Sequence, residues 1–168
     1  MNWVDIIKNS IPDHSKDIGM YLDTFINHSS LDKVDAHACA LTAALSAGNG
    51  ALAYLIQSSE VLANTPECEA AKTAAPIVSL YNSCLLTAPV LDLDTLNLPA
   101  LDLLTPAGIT AKKFQMYGLC ASIVSNSLQV GDAFTSLLLD AGTTNSELVD
   151  IVKIAGVINA VGKIAPPG

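Results

Sequence analysis

Apolar residues along this chain recur at spacings of three and four, and strand-like alternation is nearly absent, so the pattern predicts helices throughout. Val4, Ile7 and Ile11 mark a short first helix ending at Pro12; Ile18, Leu22 and Phe25 mark a second ending near His28. A third begins around Leu31 and runs through Val34, Cys39 and Leu41 to about Ala47, where Gly48-Asn49-Gly50 breaks the backbone; a fourth continues over Ala51 to Leu62. Thr65 can cap, Pro66 suits the first helical position, and Glu67 and Glu69 face the positive end of the dipole, so a fifth helix is predicted from there to about Leu86. Thr110 can cap a helix reaching about Val124; after a break near Ser125 to Ser127 another ends at Gly142. The last, to about Gly162, is opened by a capping box, Thr144-Asn145-Ser146-Glu147, and the Pro-Pro-Gly end reads as a tail.

Between the two helical stretches, Pro89 to Gly108 holds three prolines and no sustained stripe, which predicts an ordered connector packed by its leucines. Setting CALTAALSAGNG from Cys39 against CASIVSNSLQVG from Cys120, an offset of 81 residues, aligns Cys39 with Cys120, Ser46 with Ser127 and Gly50 with Gly131. The expectation is one all-α domain, 1–168, of about eight helices in two pseudo-symmetric repeats, about 31–86 and 110–164, joined by a connector over 87–109.

Composition sharpens this picture. Hydrophobic residues make up 51% of the 168 and charged residues 14%, which predicts buried helices and a homo-oligomer interface. Sixteen acidic residues face eight basic ones, all Lys, so the chain offers no Arg fork for phosphate, and nucleic acid is not an expected partner. Ala36 to Ser59 is free of charge, but Ser46, Gly48, Asn49 and Gly50 interrupt it, so it reads as two buried helices and not a membrane span. The N-terminus places Asp5 and Lys8 inside its apolar run and shows no cleavage pattern, so a cytoplasmic location is expected, with Cys39, Cys68, Cys84 and Cys120 as core thiols.

The search for chemistry returns little. GNGAL follows a helix and carries no Lys, so no phosphate loop is present, and no cofactor is expected. His14, His28 and His37 have no Cys or carboxylate at repeating ligand spacing apart from the His37-Ala38-Cys39 pair, so no metal is expected. Glu67 and Glu69 are explained by their helix start, and Asp92 and Asp94 by a solvated loop.

The segment ITAKKFQMYGLCASIVSNSLQVGDAFTSLLLDAGTTNSELVDIVKIAGVINAVGKI, 109–164, resembles the AhpD-type alkylhydroperoxidases of the carboxymuconolactone decarboxylase superfamily. DAHACALTAALSAGNGALAYLI and ECEAAKTAAPIVSLYNSCL resemble that family's first helical repeat. The resemblance implies an all-helical fold of two related halves, a trimer or a multiple of it, and an AhpC-type peroxiredoxin as partner. It also implies thiol chemistry by a Cys-x-x-Cys pair served by a Glu and two His. On this sequence the glutamate position falls on Gln115, the cysteines on Ser127 and Val130, the histidine between them on Gln129, and the later histidine on Phe134, so no catalytic residue is expected there. A Ser hydroxyl is barely ionised at neutral pH, Val130 cannot resolve a mixed disulfide, and Gln transfers no proton. Ser127 as an alternative nucleophile lacks a base in the motif and reads as a cap or packing position.

Three functions follow. The first is a non-catalytic binding or assembly protein; the second is an antioxidant disulfide reductase using other cysteines, with Cys39 and Cys120 as the first pair to inspect. The third is a cofactor-free decarboxylase-like enzyme, for which a pocket would have to gather His37 with a carboxylate of shifted pKa.

Overall fold

The computed structural model describes residues 2–86 and 98–164. Among them are eight α-helices and no strand: α1 Trp3–Ser10, α2 Lys16–Asn27, α3 Lys33–Ser46, α4 Gly50–Gln57, α5 Pro66–Leu86, α6 Ala111–Val124, α7 Leu128–Asp140 and α8 Asn145–Lys163. The expected caps are in place. Thr65 Oγ1 accepts from the Cys68 N–H at 3.1 Å and Thr110 Oγ1 from the Lys113 N–H at 3.3 Å. The Thr144–Glu147 box is reciprocal, at 3.2 Å and 2.8 Å. The fourth helix is shorter than its apolar run suggested: it ends at Gln57, and residues 58–64 are turns that place Asn64 at φ 62°. No described helix is long and apolar enough to cross a membrane.

Helices α3 and α6 form the centre. α3 is buried without interruption from Asp35 to Ala44, and α6 from Phe114 to Ser122. α3 packs on α5, α6 and α8, and α6 on α5, α7 and α8. An amphipathic stripe would be useless to a helix enclosed on every side, so both are apolar or small all round. Alanines at 36, 38, 40, 43 and 44 keep α3 thin enough for three neighbours to approach.

The repeat exists in the backbone, in a register different from the one the sequence suggested. α3 and α6 each span 14 residues, and each ends in the same turn. Gly48 and Asn126 adopt φ 72° and 54°, and Asn49 and Ser127 match at φ −92°, ψ 82° and φ −90°, ψ 80°. The closing bonds also match: Asn49 N–H to Ala44 O at 3.0 Å and Ser127 N–H to Ser122 O at 2.9 Å, the long bond of a Schellman ending. These correspondences lie 78 residues apart, not 81, so Cys39 answers to Tyr117, Asp35 to Lys113, His37 to Gln115 and Asn49 to Ser127. The alanine-rich text let the two cysteines align by identity, whereas the left-handed residue at the end of each helix sets the true register.

Of the connector, residues 87–97 lie outside the described residues, as do 165–168 of the expected tail. Downstream, Leu101 and Leu104 pack against the core around a 3₁₀ turn, while Leu98 and Leu103 are exposed. The Tyr81 hydroxyl donates to the Pro99 carbonyl, tying this stretch to α5.

Candidate functional site

The positions of interest sit where α6 turns into α7. Gln115 lies one helical turn into α6, buried, with its Oε1 lacking a protein partner. Ser127 is the N-cap residue of α7 and is 3% exposed; its backbone joins the turn, but its Oγ makes no capping bond and has no partner. A thiol here would sit at a helix N-terminus, where the dipole favours a thiolate, but a hydroxyl gains no comparable ionisation. Gln129, on the first turn of α7, points to solvent, and Val130 faces the core.

Phe134 closes the site. Its ring lies fully buried over Gly118 of α6, so close that a Cβ on that glycine would stand 2.5 Å from the ring tip. The space is filled by hydrocarbon on one side and a missing side chain on the other. Beside it, a groove of about 370 Å³ is lined by Leu119, Ile123, Ser127, Leu128, Asp132 and Val152 among others. It contains no thiol, no imidazole and no amine.

The two cysteines singled out from the sequence meet elsewhere, between α3 and α6. The Cys39 thiol lies against that of Cys120, and the Cys120 S–H donates to the Ile151 carbonyl at 3.7 Å. Both residues have no exposure and are free thiols. The neighbouring Cys120 thiol, and then burial, push the Cys39 thiol well above its ordinary pKa, which keeps it protonated and a poor nucleophile. The pair is adjacent without being equivalent in the backbone repeat.

No family model matches the chain. Curated relatives match it over nearly its whole length. It is 26% identical to the alkyl hydroperoxide reductase AhpD of Coxiella burnetii over 166 residues, 94% of each chain. It is 25% identical to the AhpD of Methylocella silvestris, covering 94% of this chain and 91% of that one, and 26% identical to the AhpD of Streptomyces avermitilis, covering 95% and 93%. The chain is AhpD-like, similar to these proteins along nearly its whole length. Coverage of 94–95% of the chain is more than either half alone could supply, so the similarity extends to both.

Next to the thiol pair, the AhpD-like chain carries a charged tie that sequence reading missed. The Tyr117 hydroxyl donates to Asp35 Oδ1 at 2.7 Å, Lys113 Nζ lies 3.4 Å from the same oxygen, and Lys113 donates to Glu67 Oε1 at 2.8 Å. Asp35 is 5% exposed. Burial first, then the Asp35 charge, pushes the Tyr117 phenol far up, so it stays a donor. Asp35 and Lys113 occupy corresponding positions on α3 and α6, a relation visible only in the 78-residue register.

His14 and His28 are exposed. His37 is 1% exposed, its Nδ1 2.8 Å from the Lys33 carbonyl and its ring edge-on to Trp3, with ring centres 5.8 Å apart. A polar cavity beside it is also lined by the exposed Glu60. No group of three or more His, Cys, Asp or Glu among the described residues could hold a metal. Burial lowers the His37 pKa from its ordinary 6.5, outweighing the carbonyl bond. The unfolded chain then takes up a proton near neutrality that the folded chain resists. This contribution leaves stability whole above the ordinary imidazole value and erodes it as pH falls below. The urea midpoint should therefore drop between about pH 7.5 and about pH 5.5, on either side of the free imidazole pKa. His37→Phe should flatten that drop. The depressed carboxylates, Glu67 and Asp150 among them, act only at lower pH.

Proposed function

We propose that this AhpD-like protein is non-catalytic at the family's redox position and serves in binding or assembly. The observation that carries the reading is the α6–α7 turn itself: Gln115, Ser127, Gln129, Val130 and Phe134 supply no thiol and no imidazole. The Phe134 ring fills the space against Gly118. Every step of a dithiol mechanism needs a thiolate and a proton carrier, and neither group is at hand. What remains is a well-packed scaffold of two halves, about 31–86 and 110–164, with the groove beside Ser127 open. In this reading the protein is cytoplasmic and works as a homo-oligomer, a trimer or a multiple of one. Its partner would be an AhpC-type peroxiredoxin, as the resemblance implies.

A second reading rests on the contact between Cys39 and Cys120. Their two thiols could be oxidised to a disulfide as a hydroperoxide is reduced to alcohol and water. Against it stands their complete burial.

One assay separates the two. Purified protein is given a hydroperoxide or a disulfide, with a dihydrolipoamide-type dithiol as donor and thiol-blocked protein as control. The expected result is no turnover above the thiol-blocked control. Turnover that disappears on thiol blocking, and in Cys39→Ala and Cys120→Ala, would overturn the non-catalytic reading in favour of the buried pair.

A further inference from the structure

The first residue of α1, the first turns of α3 and the turn after α4 converge on a cavity in the N-terminal half. Trp3, Lys33, His37, Ser58, Ser59 and Glu60 are among its lining residues, and its volume is about 410 Å³. One water needs only ~15 Å³ of such space, so the cavity has room for a small organic molecule.

Its polar groups are poorly satisfied by the protein. The Nδ1–H of His37 donates to the Lys33 carbonyl, which leaves Nε2 as an acceptor with no partner among the described residues. His37 is 99% buried, and burial keeps the ring neutral. The Trp3 Nε1–H and the Ser59 Oγ, in two walls of the same cavity, are also without partners. Lys33, at the rim, forms no ion pair with any described carboxylate, although acidic residues outnumber lysines two to one in this chain. Buried polar groups left unpaired are costly, and two in one cavity, beside an imidazole nitrogen for which the structure shows no hydrogen bond, mark a place where a ligand supplies the partners.

The donor and acceptor types define that ligand. An indole N–H and an ammonium only donate, so they require lone pairs; a neutral Nε2 only accepts, so it requires a hydrogen; Ser59 can serve either. Acetate supplies the first kind of group alone. A hydroxyl or amine beside a carboxylate supplies both within one small molecule. We infer that the cavity between Trp3, His37 and Ser59 is a binding site for a small carboxylate bearing a hydroxyl or amino donor on the neighbouring carbon. The carboxylate meets Lys33 and the Trp3 indole, and the donor meets His37 Nε2. The site is independent of the α6–α7 turn and of the thiol pair.

Trp3 is the only tryptophan in the chain, so its indole N–H gives a single ¹⁵N–¹H resonance that reports on the cavity alone. The full-length protein is titrated with malate, alanine and acetate to about 20 mM, the range expected for a small ligand with few contacts. The expected result is a saturable shift of the indole peak with malate or alanine, and binding weaker by about tenfold with acetate, as for one lost hydrogen bond. Saturation by malate alone assigns the hydroxy acids, and by alanine alone the amino acids. His37→Phe should weaken the effective ligand by about tenfold while the rest of the spectrum stays folded. If that variant does not fold, Ser59→Ala carries the same comparison. An indole peak that does not move in a saturable way, acetate binding as well as the others, or variants binding like the native chain would overturn the assignment.

Discussion

Gly118→Ala is expected to destabilise the native protein yet to stabilise it once Phe134 has been replaced by Ala. In the native packing the new methyl would stand 2.5 to 2.9 Å from three atoms of the Phe134 ring, which is fully buried and has no free volume to retreat into. Overpacking of this kind costs about 1–3 kcal/mol, offset in part by the better helix propensity of Ala, worth about 1 kcal/mol. Phe134→Ala alone removes a fully buried ring and should cost about 3–5 kcal/mol, or about 10 °C in Tm for a chain of this length. In that background the methyl enters a void, so the propensity gain stands unopposed and Gly118→Ala should add about 1 kcal/mol. Chemical denaturation of the two single variants and the double variant measures this directly. Additive effects would mean that ring and glycine do not share the space, and would remove the argument that the Phe134 ring fills the gap over Gly118.

Asp35→Ala should be the other large loss, about 2–4 kcal/mol, because it strands a buried Tyr117 hydroxyl and takes one of two carboxylates from Lys113. Tyr117→Phe should cost less, about 1–2 kcal/mol, since Asp35 keeps Lys113. Asp35→Asn should fall between, because its amide oxygen can still accept from the phenol. The order Ala, then Asn, then Tyr117→Phe is the test, read from urea midpoints at neutral pH. An Asp35→Ala variant as stable as the native chain would show that the tie between α3 and α6 contributes nothing.

The first prediction concerns the contact of α6 with α7 and the second that of α3 with α6, and it is at such helix–helix contacts that reading the sequence reached its limit. Helix ends were legible because the groups that decide them are local: Thr65, Thr110 and Thr144 cap within three residues of themselves, and Gly142 ends α7 by its own left-handed backbone at φ 81°. The end of α4 was not legible, because no Gly or Pro marks a stop between Ala51 and Leu62 and Val61 and Leu62 resume the apolar spacing, yet the chain turns there to bring Ser59 beside His37. The repeat was visible but displaced. Identity between two cysteines outweighed the similarity of Gly48 to Asn126, a pair whose shared positive φ no letter states. That Gln115, Ser127, Gln129, Val130 and Phe134 carry no thiol and no imidazole was legible position by position, since it concerns which side chains are present at all.

The sequence by itself determined the all-helical class, most helix boundaries, the resemblance to the AhpD family and the absence of thiol and imidazole at the α6–α7 turn. These are properties of composition, of periodicity and of interactions that span a few residues. Only the tertiary structure decided that Cys39 meets Cys120, that Phe134 rests on Gly118, that Asp35 joins Lys113 and Tyr117, and that Trp3 closes a cavity over His37. Each of those joins residues at least sixteen positions apart, on different helices. Their meeting depends on the angle and register at which helices pack, a balance of many weak contacts that no single stretch of sequence encodes.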